Sequence, residues 1–302
     1  MLQNLINGLN ENKTNCYRYL LVDALKSLRD IELLTLDNIK GVFSKEDVQP
    51  VLRSDLYYDP NHCPHLILLA KPNEDIELEL IELMLRTSQK EQELYRHYIC
   101  GWISSELSID LLAEKLVEYG NKLGTLSNPE TNEFVPFFEH VRLQVIKECL
   151  LQENATLFYF DFAANYIFLN YYGELEILRN LNNANTLSSF QNIFLKKALQ
   201  KQQQPILVFG LADLWKEYAD FFPHDALLRS ANQIIHAKSI GLTKGEDIIS
   251  YSFYSLMSGK DLMKYKNFSD AVKLAIEDSI TLNETFETFS QSMWNEIGIE
   301  VE

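Results

Sequence analysis

The stretch Tyr57 to Pro72, YYDPNHCPHLILLAKP, decides how the first half of the chain is read. It places His62, Cys63 and His65 within four residues and runs straight into the apolar HLILLA (65–70). Three readings compete: a metal site, a Cys/His catalytic pair, or a turn that feeds a buried strand. Structural zinc takes about four ligands, usually drawn from two pairs. His97, Cys100 and His140 are single and scattered, so there is no second pair. Asp59, Asn61 and Pro64 are turn formers. The spacing therefore predicts a turn followed by a strand, with no metal ligands and no cofactor. A thiol nucleophile needs a His nearby and a site that lowers its pKa. Strand alternation puts residues 63 and 65 on one face, so a Cys63–His65 pair remains as a rival.

Outward from this stretch the first half mixes strands and helices. CYRYLLVDAL (16–25) and HYICGWIS (97–104) read as strands, and DIELELIELMLRTSQKEQEL (75–94) as a helix. Ile109, Leu112, Leu116 and Tyr119 share a helical face that starts at Ser108, with Gly120 or Gly124 as its end. TLSNPETNEFVPFFEH (125–140) reads as a turn between extended pieces, and HVRLQVIKECLL (140–151) as a helix. ATLFYF (155–160) and NYIFLNYYGELEIL (165–178) read as strands. After the polar NLNNANT (180–186) the pattern turns helical: 189–202, 226–241, 245–257, 269–280 and 283–294, with one short strand at PILVF (205–209). Thr243 and Glu246 suggest a capping box, and Gly241 and Gly259 sit where helices end. On the last helix Phe286, Phe289 and Met293 share a face. The fold class expected is α+β: a mixed α/β lobe over 1–183, then an all-α lobe over 184–302.

Composition narrows function by exclusion. The chain has 302 residues, too long for one ordinary core. A net charge of −16 argues against nucleic acid and anionic membranes, which want Lys and Arg. The stretch MLQNLINGLNENKTN lacks a basic n-region and is read as no signal peptide, and no apolar run approaches the roughly 20 residues of a bilayer span. Cys16, Cys63, Cys100 and Cys149 are far apart and read as free cytosolic thiols. G-x-S-x-G, the phosphate-cradling glycine loops and H-E-x-x-H are all absent. Carboxylates such as Glu77 and Glu79 lie along a helix without converging. The aromatic-rich segments at 158–172 and 251–255 suit either a core or a binding surface.

The order of these segments resembles the effector-adaptor (chaperone) family of bacterial type VI secretion systems. Tyr19 to Ala24 matches a YALLDGA-like strand, Asp55 to Leu69 a proline-led strand, and Trp102 to Lys122 a W.sS-type helix start. The fRfyDPRvl strand-to-helix step becomes FVPFFEHVRL (134–143). There Glu139 stands for the acid, His140 for the proline, and Arg142 for an arginine displaced by one. If those charges form an internal salt bridge in the family, part of it is missing here. The 231–280 segment is similar to the family's helical tail. The resemblance implies a non-enzymatic cytoplasmic adaptor whose partners are an effector protein and a secretion spike protein. It assigns no catalytic residue and no partner-binding residue. The rivals are a Cys/His hydrolase at Cys63 and His65, and a toxin-neutralising immunity protein.

Overall fold

The run YRYLLV forms β1 (Tyr17–Val22), the third strand of an antiparallel six-stranded sheet in a computed structural model. Residues 1–28, 33–130, 133–153, 160, 162–180 and 189–300 are described. The other strands are β2 (Val48–Pro50), β3 (His65–Ala70), β4 (Ile99–Ser105), β5 (Asn165–Leu169) and β6 (Leu175–Arg179), in the order β2-β3-β1-β4-β5-β6. Leu20 lies opposite Ile67 on one side and Trp102 on the other. The expected strand over 165–178 is thus a hairpin. Its turn is set by Asn170, whose Oδ1 accepts from the N–H groups of Tyr172 and Glu174, both at 2.9 Å. Most of ATLFYF lies outside the described residues; its last member, Phe160, is buried.

Both faces of the sheet are covered, which is why β1, β3 and β4 are buried almost throughout and their apolar residues run on without alternating. On one face Leu20, Ile67, Trp102 and Ile167 meet Leu5 and Leu9 of α1 (Leu2–Asn10), Ile39 of α2 (Leu36–Val42), and Ile81, Met84 and Leu85 of α3 (Leu78–Lys90). Helix α1 has no counterpart in the sequence reading, which took its segment only as a non-signal. On the other face strand alternation places Tyr166 with the rings of Phe137, Phe160 and Phe162. Tyr119 of α4 (Ile109–Ser127) is edge-on to Phe137 at 4.8 Å, and α5 (His140–Gln152) follows.

Helix α4 passes through both Gly120 and Gly124 and ends at Ser127, so neither glycine is its cap. They serve a crossing. The Val135 N–H donates to the Gly120 carbonyl at 3.1 Å. A Cβ at Gly124 would lie 1.7 Å from the Glu133 carbonyl oxygen, and one at Gly120 would lie 2.2 Å from the Phe134 ring. The expected extended piece at 125–127 is the last turn of this helix, and residues 131–132 lie outside the described ones.

The chain divides into two compact units, residues 1–200 and 201–302. The boundary expected near residue 183 lies outside the described residues. Helix α6 (Ser189–Lys201) is followed by α7 (Pro205–Tyr218), α8 (Ala226–Ser239), α9 (Gly245–Ser258), α10 (Lys266–Ile276), α11 (Leu282–Glu287) and α12 (Gln291–Ile297). The strand expected at PILVF is instead the first turn of α7. Pro205 opens it, and Val208, Leu211, Ala212 and Trp215 are buried at helical spacing. The capping box expected at Thr243 is not formed: Lys244 is the N-cap of α9, which moves Glu246 from the third helical position to the second. A complete box forms at Thr281 and Glu284. Gly259 caps α9 with φ 63°, and Gly241 follows α8 with φ 107°. The single helix expected over 283–294 breaks at residues 288–290, so Phe286, Phe289 and Met293 share no continuous helical face; Met293 is half-buried, and beside it lies the buried Trp294. Its ring joins Phe286 and Phe289 around Phe268, with centroids 5.0–5.6 Å away.

Two glycine substitutions separate these roles. Gly124→Ala should cost about 3 kcal/mol, because the clash is with backbone that cannot swing away. Gly210→Ala, in α7 with no atom within 4 Å of its Cβ position, should gain about 1 kcal/mol. Urea denaturation of the two variants checks both signs.

Candidate functional site

The structure separates His62, Cys63 and His65 by environment. His62 is exposed and its Nδ1 lies 2.7 Å from Asp59 Oδ2. Cys63 and His65 are buried. The Cys63 thiol points to the Leu56 carbonyl at 3.5 Å, and His65 Nδ1 lies 2.8 Å from the Cys63 carbonyl oxygen. Burial pushes the thiol's pKa up, and burial together with the Lys40 charge pushes the imidazole's down to about 4. At neutral pH the pair is thiol and neutral imidazole, whereas a cysteine nucleophile needs the thiolate. Among the described residues no three His, Cys, Asp or Glu side chains converge to hold a metal ion.

What these residues do together is close one end of a fixed loop. Val51 N–H donates to the Pro64 carbonyl at 2.7 Å, and successive turns run through Arg53, Leu56 and Asp59. Arg53 is 5% exposed, although it is an arginine in a surface loop. Its fork holds Asp55 at 3.0 and 2.7 Å, and its guanidinium lies 4.9 Å over the Phe134 ring. The Ser54 hydroxyl donates to Asn121 of α4 at 3.1 Å, and Lys40 of α2 to Asn61 at 3.2 Å. On this frame Tyr57 and Tyr58 stand out at 68% and 74% exposure, with their rings edge-on at 6.2 Å.

A second cluster lies at the junction of β1, β4 and α5. Asp23 directly follows β1, is fully buried, and donates its N–H to the Tyr98 carbonyl at 2.7 Å. Its Oδ2 lies 3.8 Å from Arg96 Nε. Arg96 also reaches Glu139 at 3.1 Å, and Arg142 holds the other oxygen of Glu139 at 2.6 Å. The acid of the strand-to-helix step therefore keeps two arginine partners, one of them supplied from outside the motif by Arg96. Burial raises the Asp23 pKa. Beside this cluster the buried His97 and His140 rings stack at 3.6 Å and 11°. Burial holds both neutral, His97 at about 4. Each acid here already has an arginine within reach, and arginine keeps its proton, so the cluster ties elements together and offers no proton-transfer pair.

The aromatic segments singled out from sequence are mostly interior. Phe160, Phe162, Tyr166, Phe168, Tyr171 and Tyr251 are all buried, while Phe253 and Tyr254 are half-buried and packed edge-on at 5.2 Å. Among the described residues the exposed aromatics are Tyr57 and Tyr58 in the first unit, and Tyr218 and Phe221 in the second at 60% and 77%. The signal missed was Asp-Leu-Tyr-Tyr-Asp-Pro itself. Adjacent rings in a turn, outside any strand or helix, have no common core face to enter. Among the described residues no helix is long and apolar enough to cross a membrane. No protein-family model, curated protein or solved structure matches the chain.

The depressed imidazoles give a pH signature. His65 and His97 bind protons in the unfolded chain near pH 6.5 but in the folded one only near pH 4. Between those values the unfolded state holds more protons, so stability falls as pH falls, by roughly 3 kcal/mol per imidazole across that window. Urea titrations at pH 7 and pH 5 should show about 2 kcal/mol of this loss per imidazole, and His97→Gln should remove the share that belongs to His97.

Proposed function

We propose that the chain is a non-catalytic binding protein, a cytoplasmic adaptor of type VI secretion that holds an effector and brings it to the secretion spike. The observation that carries the binding reading is the Tyr57–Tyr58 pair, exposed on a loop pinned by Arg53, Ser54 and Asn61. Keeping two rings in water is unfavourable unless something covers them, and each can bury about 150–250 Å² against a partner. A loop already fixed loses little conformational freedom on binding. Tyrosine is among the residues that concentrate interface energy. The resemblance supports the secretion class. Two segments that carry it, the end of β1 and the start of α5, are joined through Asp23, Arg96 and Glu139. The net charge of −16 suits a partner segment that is basic as well as apolar. The buried, protonated Cys63 and neutral His65 weigh against the hydrolase reading.

Affinity capture from the native host tests this. The unaltered chain should retain a spike or effector protein. Tyr57→Ala with Tyr58→Ala should lose it, at a cost of about 2 kcal/mol or more per anchor, with the melting temperature unchanged. Cys63→Ala should keep it. Capture of a toxin alone, neutralised by this chain, would replace the adaptor reading with the immunity one.

A further inference from the structure

Helix α9 of the second unit has its apolar side on the wrong face for a core helix. Of its buried side chains only Ile248 is aliphatic; the others are Asp247, Ser250, Tyr251, Ser252 and Ser255. Ile249, Phe253 and Met257, four residues apart, are only half-buried and form one outward stripe. A helix that served this fold alone would turn such a stripe inward and its serines outward. We propose that this stripe and its neighbour on α7 form a docking surface for a basic amphipathic helix of a partner protein. The surface belongs to the second unit, so its failure would leave the reading of the tyrosine loop standing.

The neighbouring stripe is Leu207, Leu214 and Tyr218, which share one face of α7. The first two are half-buried, and Tyr218 is exposed. Contacts near both ends set the two helices side by side. At one end a Cβ on Gly245 would lie 3.8 Å from Leu207 Cδ2. At the other the Tyr218 ring is edge-on to Phe253, with centroids 5.8 Å apart. Each helix has 14 residues, so the double stripe runs about 21 Å. Continuous apolar surface of this kind marks an interaction site. Two helices side by side leave a furrow that a third helix fills along its axis, and roughly four turns would cover this length.

The charge of that helix follows from the edges of the stripe. Asp213 and Glu217 are exposed one turn apart beside Leu214 and Tyr218, Asp220 follows them, and Glu246 lies one turn before Ile249. Among the described residues none of the four forms an ion pair. The nearby basic groups are turned away or committed. Lys216, the one basic residue of α7, lies roughly 200° round the helix from Leu214. Lys244, at the start of α9, is held by Asp278. Lys260, past its end, donates to the Glu296 carbonyl at 3.1 Å. The charges left along the stripe are negative, so the helix that covers it carries Lys or Arg beside its apolar face. A second copy meeting this face with its own would set the same carboxylates against them, and anionic headgroups would be repelled.

Fluorescence anisotropy of the full chain with three labelled synthetic helices of about 18 residues separates the terms. The first has Leu on one face and Lys on the other, the second has Glu in place of Lys, and the third has Ser in place of Leu. The first should bind with a Kd at least tenfold below those of the other two. Tyr218→Ser with Met257→Ser should weaken it at least tenfold while leaving the melting temperature in place. Asp213→Asn with Glu217→Gln should weaken it about tenfold at low salt and less at high salt. Tyr57→Ala with Tyr58→Ala should leave it unchanged. Absence of binding would overturn the proposal, as would equal affinity for either control peptide or a Kd unmoved by either paired substitution on the stripe. Loss of binding in the Tyr57, Tyr58 variant would overturn it in favour of the loop. A dimer in sedimentation that the Tyr218, Met257 variant disperses would give the face to a second copy. Binding to phosphatidylcholine vesicles lost in that variant would give it to a membrane.

Discussion

The close crossing of residues 133–135 over Gly120 and Gly124 is the constraint on which the first unit depends. It brings backbone to backbone where any side chain would intervene. It seats the Phe134 ring on α4, and that ring becomes the surface on which the Arg53 guanidinium lies. Arg53 in turn holds Asp55 and fixes the loop that exposes Tyr57 and Tyr58. An α-helix that ended at either glycine would leave Phe134 without its seat and Arg53 without its platform. The presentation of two tyrosines is thus built from the interior outward.

Charge inside this unit is used for joining. Asp23, Arg96, Glu139 and Arg142 connect the end of the central strand to the approach to β4 and the start of α5. Buried ion pairs add little net stability, but removing one member leaves its partner stranded and costs several kcal/mol. Such clusters therefore fix which elements meet. The neutral His97–His140 stack fills the space beside it, and the same burial makes the unit sensitive to acid.

Much of the fold was legible because both faces of the sheet are covered. Continuous apolar runs in β1, β3 and β4 then stand out against their polar flanks, and the long amphipathic face of α4 is equally plain. PILVF failed because a short apolar run has no period of its own; only Leu211 and Trp215 beyond it reveal the helix. The capping box failed by a single residue of register at Lys244. The ionic junction was hidden because Arg96 and Glu139 are 43 positions apart, and sequence carries no sign of their meeting. Of the candidate surface, the turn was legible and its tyrosines were not, because the aromatic-rich segments that drew attention fill the core.

The central claim is that the pinned loop is where this chain meets its partner. A photoreactive phenylalanine analogue in place of Tyr58 tests it most directly, since it keeps an aromatic ring at that position and reports contact in the living host. The expected result is a covalent adduct with a spike or effector protein on illumination, and none when the analogue replaces the buried Phe168. Illumination that yields no adduct at position 58, while the chain still captures its partner, would contradict the account.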